Sequence, residues 1–398
     1  MKKKRVLFYN GQLLIGGIER VLTSYLQGLA NEEDLEITVL IKENDPEKNI
    51  FFKDIPKNLP VVFIKTEEMV KFRNEIKAKR KKNIFYKLIY PLILSYERLY
   101  MKKWLRNYMK ANKDKFDVVI DFDMSLGKYL NIIDLPKIGW IHYTLTGKLR
   151  NKKKERRFKK RLEKYDRIVA ICDEMKEEAK NLFKVPEEKI IRIYNPFNID
   201  KVGREKEIIE EGDKEYLRED YIVAVSRLVE GKGREDLIDI YNELHKDGIQ
   251  EKLYILGEGP VSEKLEKKIK EFGLEGKVIL VGQKKNPLPW MKNAKIFVHT
   301  SYGEGLPTVF LESMIAGTPV IAYDCPTGPK DILGKNQYGV LVKTGDKESF
   351  KIELEKLLSD EERREKYIED FYKEKLHEFN IEYIKEQFKK ILILKVGQ

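Results

Sequence analysis

Short apolar runs alternate with longer amphipathic stretches along almost the whole chain. The runs are brief, rich in β-branched residues and continuously apolar, which is typical of strands buried on both faces of a sheet. A first series of such runs comprises residues 6–9, 37–41, 61–64, 118–122, 138–141, 168–171 and 190–194. A second series comprises residues 221–225, 253–256, 278–281, 296–298, 320–323 and 340–342.

Patterns typical of helices lie between the strands, for example over residues 234–245, 263–272 and 310–316. Repeated strand–helix alternation predicts parallel sheets covered by helices on both faces. The stretch 200–220, rich in Glu and Lys, lacks apolar periodicity and separates the two series. We therefore predict two doubly wound α/β domains, residues 1–197 and 198–377, with a C-terminal helix over 378–398 that packs back on the first domain.

Residues 83–112 break this alternation and predict one long helix, in which Pro91 marks an entry or a kink. Its uncharged stretch 88–96 is far shorter than the ~20 residues that span a bilayer, so no transmembrane helix is predicted. Aromatic and basic residues are interleaved along this helix, as in helices that lie in an anionic membrane interface. A core-packed helix with solvated lysines is the alternative interpretation.

Composition narrows the classes of protein. The chain has 398 residues, 42% hydrophobic and 36% charged, which excludes intrinsic disorder and a disulfide-stapled mini-protein. Cys172 and Cys325 lie far apart without CxxC spacing, so a structural zinc site is not expected and a reduced, cytoplasmic compartment is. The basic N-terminus lacks the apolar core and cleavage site of a signal peptide.

The net charge of +12 is concentrated in two segments. Residues 65–115 contain 16 Lys and Arg against 5 Asp and Glu, and residues 148–161 contain 10 against one. A local basic patch indicates an anionic partner, such as phosphate, nucleic acid or a membrane face. No nucleic-acid-binding motif accompanies the charge, so nucleic acid is the least favoured of these partners.

In the first half, Gly16-Gly17 follows the first strand and precedes a predicted helix. Glycine lets a ligand approach the backbone closely, and a helix N-terminus offers free N–H groups to an anion. A plain tight turn explains the pair equally well. His142 follows the strand 138–141, where it is either a site residue or a satisfied structural histidine.

In the second half, Arg227 follows the strand 221–225, and Lys232 lies between two glycines before the next helix. Two cations at the carboxyl end of a parallel strand suit a diphosphate bound in the crevice of such a sheet. Solvated surface charges are the alternative.

Glu304 and Glu312 frame the most specific motif, EGLPTVFLE. Glu304 lies on a loop after the strand 296–298. Pro307 and Thr308 suit the opening of a helix that also carries Glu312. We expect both carboxylates to face the opening of the same binding site, where free backbone N–H groups are available to a phosphate. His299 ends the strand and is expected to line that opening too.

Taken together, these motifs resemble the family 4 glycosyltransferases of the bacterial surface-polysaccharide type, which have the GT-B fold. The shared features are Gly16-Gly17 with Glu19-Arg20, His142, Asn195-Pro196, Arg227 with Lys232, residues 257–260, the pair Glu304 and Glu312, and the 324–329 loop. The resemblance implies an α/β protein with two Rossmann-like, doubly wound parallel-sheet domains facing across a cleft. It also implies an acceptor-binding first domain and a second domain that binds the nucleotide sugar.

The resemblance further implies retaining transfer from a nucleotide-diphosphate sugar, with UDP expected. Arg227 and Lys232 would neutralise the departing diphosphate, Glu312 would bind the ribose, and the Glu304 loop would orient the sugar hydroxyls. The other implied donor-binding residues are Gly16, Gly17, Gly257, Gly282, Gln283, Lys284, Gly305, Leu306, Pro307 and Thr308. His142 would face the donor sugar near the reacting carbon.

No metal or other cofactor is expected. Asp121 and Asp123 imitate the DxD motif of another glycosyltransferase fold, but their place after a first-domain strand favours strand-end capping or acceptor contact. The leading interpretation is a peripheral enzyme on the inner face of the cell membrane. It would extend a lipid-linked glycan for lipopolysaccharide, capsule or a related polysaccharide and contact the anionic membrane through its basic segments. A soluble acceptor, a sugar-nucleotide epimerase of the same fold and a non-enzymatic nucleic-acid binder are the alternatives.

Overall fold

The structure is a computed structural model that describes residues 3–14, 16–146 and 152–393. Part of the basic segment 148–161 and the end of the predicted helix 378–398 therefore lie outside the described residues. The chain divides into two compact units. The first comprises 1–171, 175–196 and 381–398, and the second comprises 172–174 and 197–380.

The described strands and α-helices alternate along much of the chain, but β2 and β3, and likewise β4 and β5, follow each other without an intervening α-helix. The strands are β1 (Lys4–Asn10), β2 (Leu35–Glu43), β3 (Val61–Lys65), β4 (Val118–Asp121), β5 (Lys137–Ile141), β6 (Arg167–Ala170), β7 (Ile190–Arg192), β8 (Tyr221–Val225), β9 (Lys252–Leu256), β10 (Val278–Gly282), β11 (Ile296–His299), β12 (Val320–Asp324) and β13 (Val340–Lys343). The α-helices are α1 (Gly17–Leu29), α2 (Glu67–Lys79), α3 (Ile84–Ala111), α4 (Lys152–Leu162), α5 (Asp173–Phe183), α6 (Ile199–Glu205), α7 (Arg234–Lys246), α8 (Ser262–Glu271), α9 (Leu288–Lys292), α10 (Thr308–Ala316), α11 (Pro329–Leu333), α12 (Lys347–Ser359), α13 (Glu361–Asp370) and α14 (Ile381–Ile393).

In the first unit, seven parallel strands pair in the order β3-β2-β1-β4-β5-β6-β7. Val6 of β1 pairs with Ile37 on one side and Val118 on the other, so the strand order reverses between β1 and β4. The last helix, α14, completes this unit's core. Its Phe388 is fully buried and stacks on Phe8 of β1, with ring centroids 5.6 Å apart.

In the second unit, six parallel strands pair in the order β10-β9-β8-β11-β12-β13. Here the order reverses between β8 and β11. The core contains Ile222 of β8, Leu237 of α7 and Phe350 of α12, all without exposed surface. These continuously apolar strands are buried as the sequence pattern predicts.

The predicted α/β class with two doubly wound parallel sheets is confirmed, and every predicted strand is present within a few residues of its expected bounds. The predicted long helix is α3, and Pro91 lies inside it rather than at its entry. The helix begins at Ile84 because the Asn83 side chain caps it, accepting a hydrogen bond from the Phe85 amide at 2.9 Å. None of the described helices combines the length and apolar character that a bilayer crossing requires.

Candidate functional site

The reversal of strand order in the second sheet places two loops side by side. β8 and β11 are parallel neighbours, so the loop that begins at Ser226 and the loop that begins at Thr300 leave the same edge of the sheet. Open parallel sheets bind their ligands at this position, outside the carboxyl ends of the strands. The residues predicted for the donor site in both loops therefore belong to one location.

A cluster of three charged or titratable side chains joins these loops. The Glu304 Oε1 atom lies 2.5 Å from Lys232 Nζ and 2.8 Å from His299 Nε2. The side chains of His299, Glu304 and Lys232 are 2%, 14% and 20% exposed. The cluster is largely withdrawn from water, so its interactions are stronger than those of a surface ion pair.

The environment fixes the protonation of this cluster. Burial raises the pKa of Glu304, but the hydrogen bonds and charges of His299 and Lys232 outweigh it and lower that pKa to about 2. Burial lowers the pKa of His299 to about 4, with Arg234 and Lys232 acting in the same direction and Glu304 opposing them. At neutral pH Glu304 is therefore a carboxylate and His299 is neutral. An ionised carboxylate only accepts hydrogen bonds, so His299 Nε2 carries the hydrogen.

Arg234 is a residue that sequence reasoning missed. It is the first residue of α7 and only 2% exposed. Its Nε donates to Ser226 Oγ at 3.1 Å and its Nη1 to Thr300 Oγ1 at 3.5 Å, while Nη2 is buried without a partner among the described residues. Burial lowers its pKa to about 10, so it remains a cation at neutral pH beneath Glu304. One feature of the sequence could have identified Arg234: it lies at a helix N-terminus, where the macrodipole disfavours a cation.

Two glycines allow these loops to approach each other. Gly233 has φ +63°, and a Cβ atom there would lie 1.8 Å from the Thr300 carbonyl oxygen. Gly257, after β9, has φ +136°, and a Cβ atom there would lie 1.8 Å from the Ser226 carbonyl oxygen. Only glycine satisfies both the backbone angles and the contacts at these positions.

The Glu304 loop is held from the other side by the loop after β12. The Thr327 hydroxyl donates to the Glu304 carbonyl oxygen. Gly328, with φ +93°, approaches so closely that a Cβ atom there would lie 2.4 Å from the Gly305 carbonyl oxygen. These contacts give the 324–329 loop, which the sequence singled out, a supporting role at the site.

The Glu304 loop leads directly into α10, which begins at Thr308 after Pro307, as predicted. The preceding Leu306 is partly exposed, and Glu312 lies half-buried in the second turn of the helix. The opening of α10 directs backbone N–H groups away from the helix, where an anion is favoured.

Arg227 is exposed, and its guanidinium has no ion-pair or hydrogen-bond partner in the part of the chain that the structure describes. Together with Lys232 and Arg234 it gives the two loops and the first residue of α7 three cations, against the two carboxylates of Glu230 and Glu304. The excess of positive charge suits a diphosphate.

The residues predicted to meet the base lie further along the sheet. Gly282 ends β10, two strands away from β8, which corresponds to about 10 Å at ~4.8 Å per strand. Gln283 is exposed. The Lys284 side chain is engaged elsewhere, since its Nζ lies 2.5 Å from Asp213 Oδ1. At this position the backbone, rather than the lysine side chain, is available to a ligand.

In the first unit, Gly16 caps α1 and Gly17 is its first residue. A Cβ atom on Gly16 would lie 2.2 Å from Glu19 Oε2, whereas one on Gly17 would meet open space. His142 follows β5 and is half-buried. Burial lowers its pKa to about 3 despite its hydrogen bond with the Phe122 backbone, and its Nε2 has no partner among the described residues. His142 is therefore neutral, with one ring nitrogen uncommitted.

Asp121 and Asp123 bind the backbone of neighbouring loops. Asp121 accepts from the Leu126 amide at 3.2 Å and from the Tyr165 hydroxyl at 2.5 Å, and Asp123 accepts from the Gly11 amide at 2.9 Å. These contacts match the strand-end capping expected of them. Over residues 3–14, 16–146 and 152–393, no group of three or more His, Cys, Asp or Glu side chains is arranged to hold a metal ion.

Comparison with known proteins adds relatives to this geometry. The chain is 29% identical over 258 residues to an uncharacterized glycosyltransferase of Methanocaldococcus jannaschii, covering 57% of this chain and 63% of the relative. It is 31% identical over 187 residues to the N-acetylgalactosamine-N,N'-diacetylbacillosaminyl-diphospho-undecaprenol 4-alpha-N-acetylgalactosaminyltransferase of Campylobacter jejuni, covering 46% of this chain and 48% of the relative. The matches thus span between about half and just under two thirds of these relatives' length.

Among solved structures, Anabaena Alr3699/HepE in complex with UDP superposes with a TM-score of 0.73 at 16% identity, covering 98% of this chain and 99% of that one. At this identity the likeness shows the fold, which is GT-B. The model described as Glycosyltransferase Family 4 matches residues 15–201, and the model described as Glycosyl transferases group 1 matches residues 205–374. The two models together account for most of the chain, which belongs to the family 4 glycosyltransferases.

Proposed function

We propose that the protein transfers a sugar from a nucleoside-diphosphate sugar, with UDP as the nucleotide, to a glycan acceptor. The observation that carries the proposal is the cluster around Glu304 at the reversal of the second sheet. The further cations beside it, Arg227 and Arg234, and the opening of α10 are suited to a group that develops negative charge as it leaves.

The chemistry requires the bond between the anomeric carbon and the diphosphate oxygen to break. The bonding electrons stay with the diphosphate, so groups that stabilise its charge accelerate the step. Lys232 is paired with Glu304 in the free protein. We infer that a bound diphosphate replaces Glu304 as the partner of Lys232 and frees the carboxylate to accept from the sugar hydroxyls.

We propose that the transfer retains the anomeric configuration, as the family resemblance implies. In the complex proposed above, Glu304 keeps its hydrogen bond with His299 and accepts from the sugar hydroxyls, so the carboxylate is committed to binding rather than to nucleophilic attack. We therefore favour attack from the same face, assisted by the leaving phosphate, over a covalent glycosyl-enzyme. Arg227, Lys232 and Arg234 supply the positive charge that a divalent metal supplies in other transferases. On the family resemblance alone, we assign His142 to the reacting carbon.

For the acceptor we propose a lipid-linked glycan of a cell-surface polysaccharide. The Campylobacter jejuni relative is named as a transferase that acts on a diphospho-undecaprenol-linked sugar, which supports this class. The basic segment 65–115 supports a location at an anionic membrane face.

The decisive experiment incubates the full chain with a panel of nucleotide sugars, with and without a lipid-linked acceptor. Release of the nucleotide that depends on the acceptor, with an α-linked product from an α-linked donor, supports the proposal. An epimerised donor would identify an epimerase instead. Turnover with a water-soluble sugar but not with the lipid-linked one would restrict the acceptor class. Tight RNA binding without any turnover would refute the enzymatic proposal altogether.

A further inference from the structure

One face of α3 carries a row of exposed apolar side chains, in which Ser95 is the one polar member. Its six apolar members are between 60% and 69% exposed: Ile84, Phe85, Leu88, Leu92, Tyr96 and Leu99. At 3.6 residues per turn they occupy an arc of about 120°, and at 1.5 Å per residue the row extends for about 22 Å along the helix axis. We call these six residues the α3 stripe. Scattered exposed apolar residues are normal, but a contiguous row marks a contact surface.

The opposite face of α3 is fixed to the first unit. Met101, Leu105 and Met109 are buried in its core. Glu97, 6% exposed, lies 2.6 Å from the Nζ atom of the buried Lys65. Breaking such a buried ion pair is strongly unfavourable, so the helix does not rotate to hide the α3 stripe. The stripe therefore faces outward as a permanent feature of this unit.

Cations flank the stripe at both ends. Beyond Leu99 the same arc of the helix continues as exposed Lys and Arg residues, namely Lys102, Lys103, Arg106 and Lys110. Before Ile84, residues 79–82 are all Lys or Arg. The single acidic residue of α3 is the buried Glu97. An apolar centre between cationic ends, without an exposed carboxylate, is complementary to an anionic lipid surface.

We propose that the α3 stripe inserts among the acyl chains of an anionic bilayer leaflet, with the helix lying flat in the interface. A second copy of the chain is a poorer occupant, because pairing two α3 helices brings their cations together and neither α3 offers an exposed carboxylate to them. Insertion would hold the protein at the surface that contains the proposed lipid-linked acceptor, and in this respect it rests on the proposed function. It also goes beyond the electrostatic attraction expected from the sequence, because apolar insertion resists salt, whereas screened charges do not.

The test uses the full chain and flotation with vesicles of neutral phosphatidylcholine, alone or with phosphatidylglycerol. The variant Leu88→Glu/Leu92→Glu removes the centre of the stripe, and Leu182→Glu, at an exposed leucine of α5, is the matched control. We expect wild type and Leu182→Glu to bind anionic vesicles and to keep measurable binding in 0.5 M salt, a concentration at which the Debye length is only a few Å. The double variant should lose at least about tenfold in vesicle partitioning, with unchanged thermal unfolding.

Insertion depth provides a second readout. Cys172 and Cys325 are buried, so a Leu92→Cys variant can be labelled selectively with an environment-sensitive fluorophore. We expect a blue shift on anionic vesicles and quenching by lipids brominated on their acyl chains. Equal binding by wild type and the double variant, or complete release of both by salt, would overturn insertion. A lipid-free dimer that the double variant dissociates would assign the stripe to a second copy instead. Donor turnover with a detergent-solubilised acceptor is measured separately, so failure of lipid binding and failure of the proposed function are distinguishable.

Discussion

Replacing His299 by Gln should remove a pH-dependent part of the protein's stability. The Gln side chain has a similar length and presents an amide N–H in place of Nε2–H, so the hydrogen bond to Glu304 can persist. What disappears is a group that binds a proton readily in the unfolded chain and reluctantly in the folded protein. The groups facing His299 are Glu304, which raises its pKa, and Lys232 and Arg234, which lower it together with burial.

The direction follows from proton binding. The ordinary pKa of His299 is 6.5 and its pKa in the folded protein is about 4. Above pH 6.5 the group is neutral in both states and contributes nothing. As the pH falls from 6.5 towards 4, the unfolded chain takes up a proton that the folded protein does not, so falling pH favours unfolding. The full effect is about 3 kcal/mol of unfolding free energy, at ~1.36 kcal/mol for each pH unit.

The assay is urea unfolding of wild type and His299→Gln at intervals between pH 7.5 and 4. Titrating groups other than Glu304 are common to both proteins and cancel in the difference, and the Gln amide is chosen because it can keep the hydrogen bond to Glu304. We expect the free energy of unfolding to fall less steeply with falling pH in the variant than in wild type. Between pH 7.5 and 4, the difference in this free energy should change by about 3 kcal/mol in favour of the variant. The control is His377→Gln, which makes the same substitution at an exposed position outside the cluster. A difference that stays constant over this pH range would refute the buried, neutral state assigned to His299.

Three further predictions concern the site in the second unit. Lys232→Ala and Glu304→Gln should each lower kcat by ~10²–10³, the typical cost of removing a group that stabilises transition-state charge; the surface variant Lys246→Ala should not, and near-normal rates for both site variants would mean that the site lies elsewhere. Turnover should survive excess EDTA, because three cations flank the proposed diphosphate position; activity that is lost and then restored by magnesium or manganese would contradict this. Gly233→Ala should lower the free energy of unfolding by more than Gly231→Ala does. The Gly231 variant suffers only the ~1–2 kcal/mol of left-handed backbone strain, whereas the Cβ atom of the Gly233 variant would also meet the Thr300 carbonyl oxygen. Equal losses in urea unfolding would show that the loop yields to the contact.

The strands were predictable because strands of a buried parallel sheet have continuously apolar sequences, and the short length and regular spacing of these runs distinguish them from buried helices. The Glu304 loop was predictable because Pro307 and the glycines constrain the backbone locally. The ion pair of Glu304 with Lys232 was less accessible to sequence reasoning, since it depends on the order of strands in the sheet. Arg234 was missed because an arginine on a polar helix usually points to solvent, and only the packing of α7 beside β11 buries it. The orientation of α3 was equally hidden, because both its faces carry large apolar residues.

The return of α14 to the first unit has a consequence for biosynthesis. Phe388 of α14 packs against Phe8 of β1 and Trp140 of β5, so strands that are synthesised before the second unit need a helix that is synthesised after it for their core. Until α14 has been synthesised, those aromatic side chains lack Phe388 as a partner, whereas the second unit ends at Asn380. Domains generally fold in the order of their synthesis. Here that order is inverted for the final packing step. The second unit can fold first, and the first unit completes its core only after α14 has been synthesised.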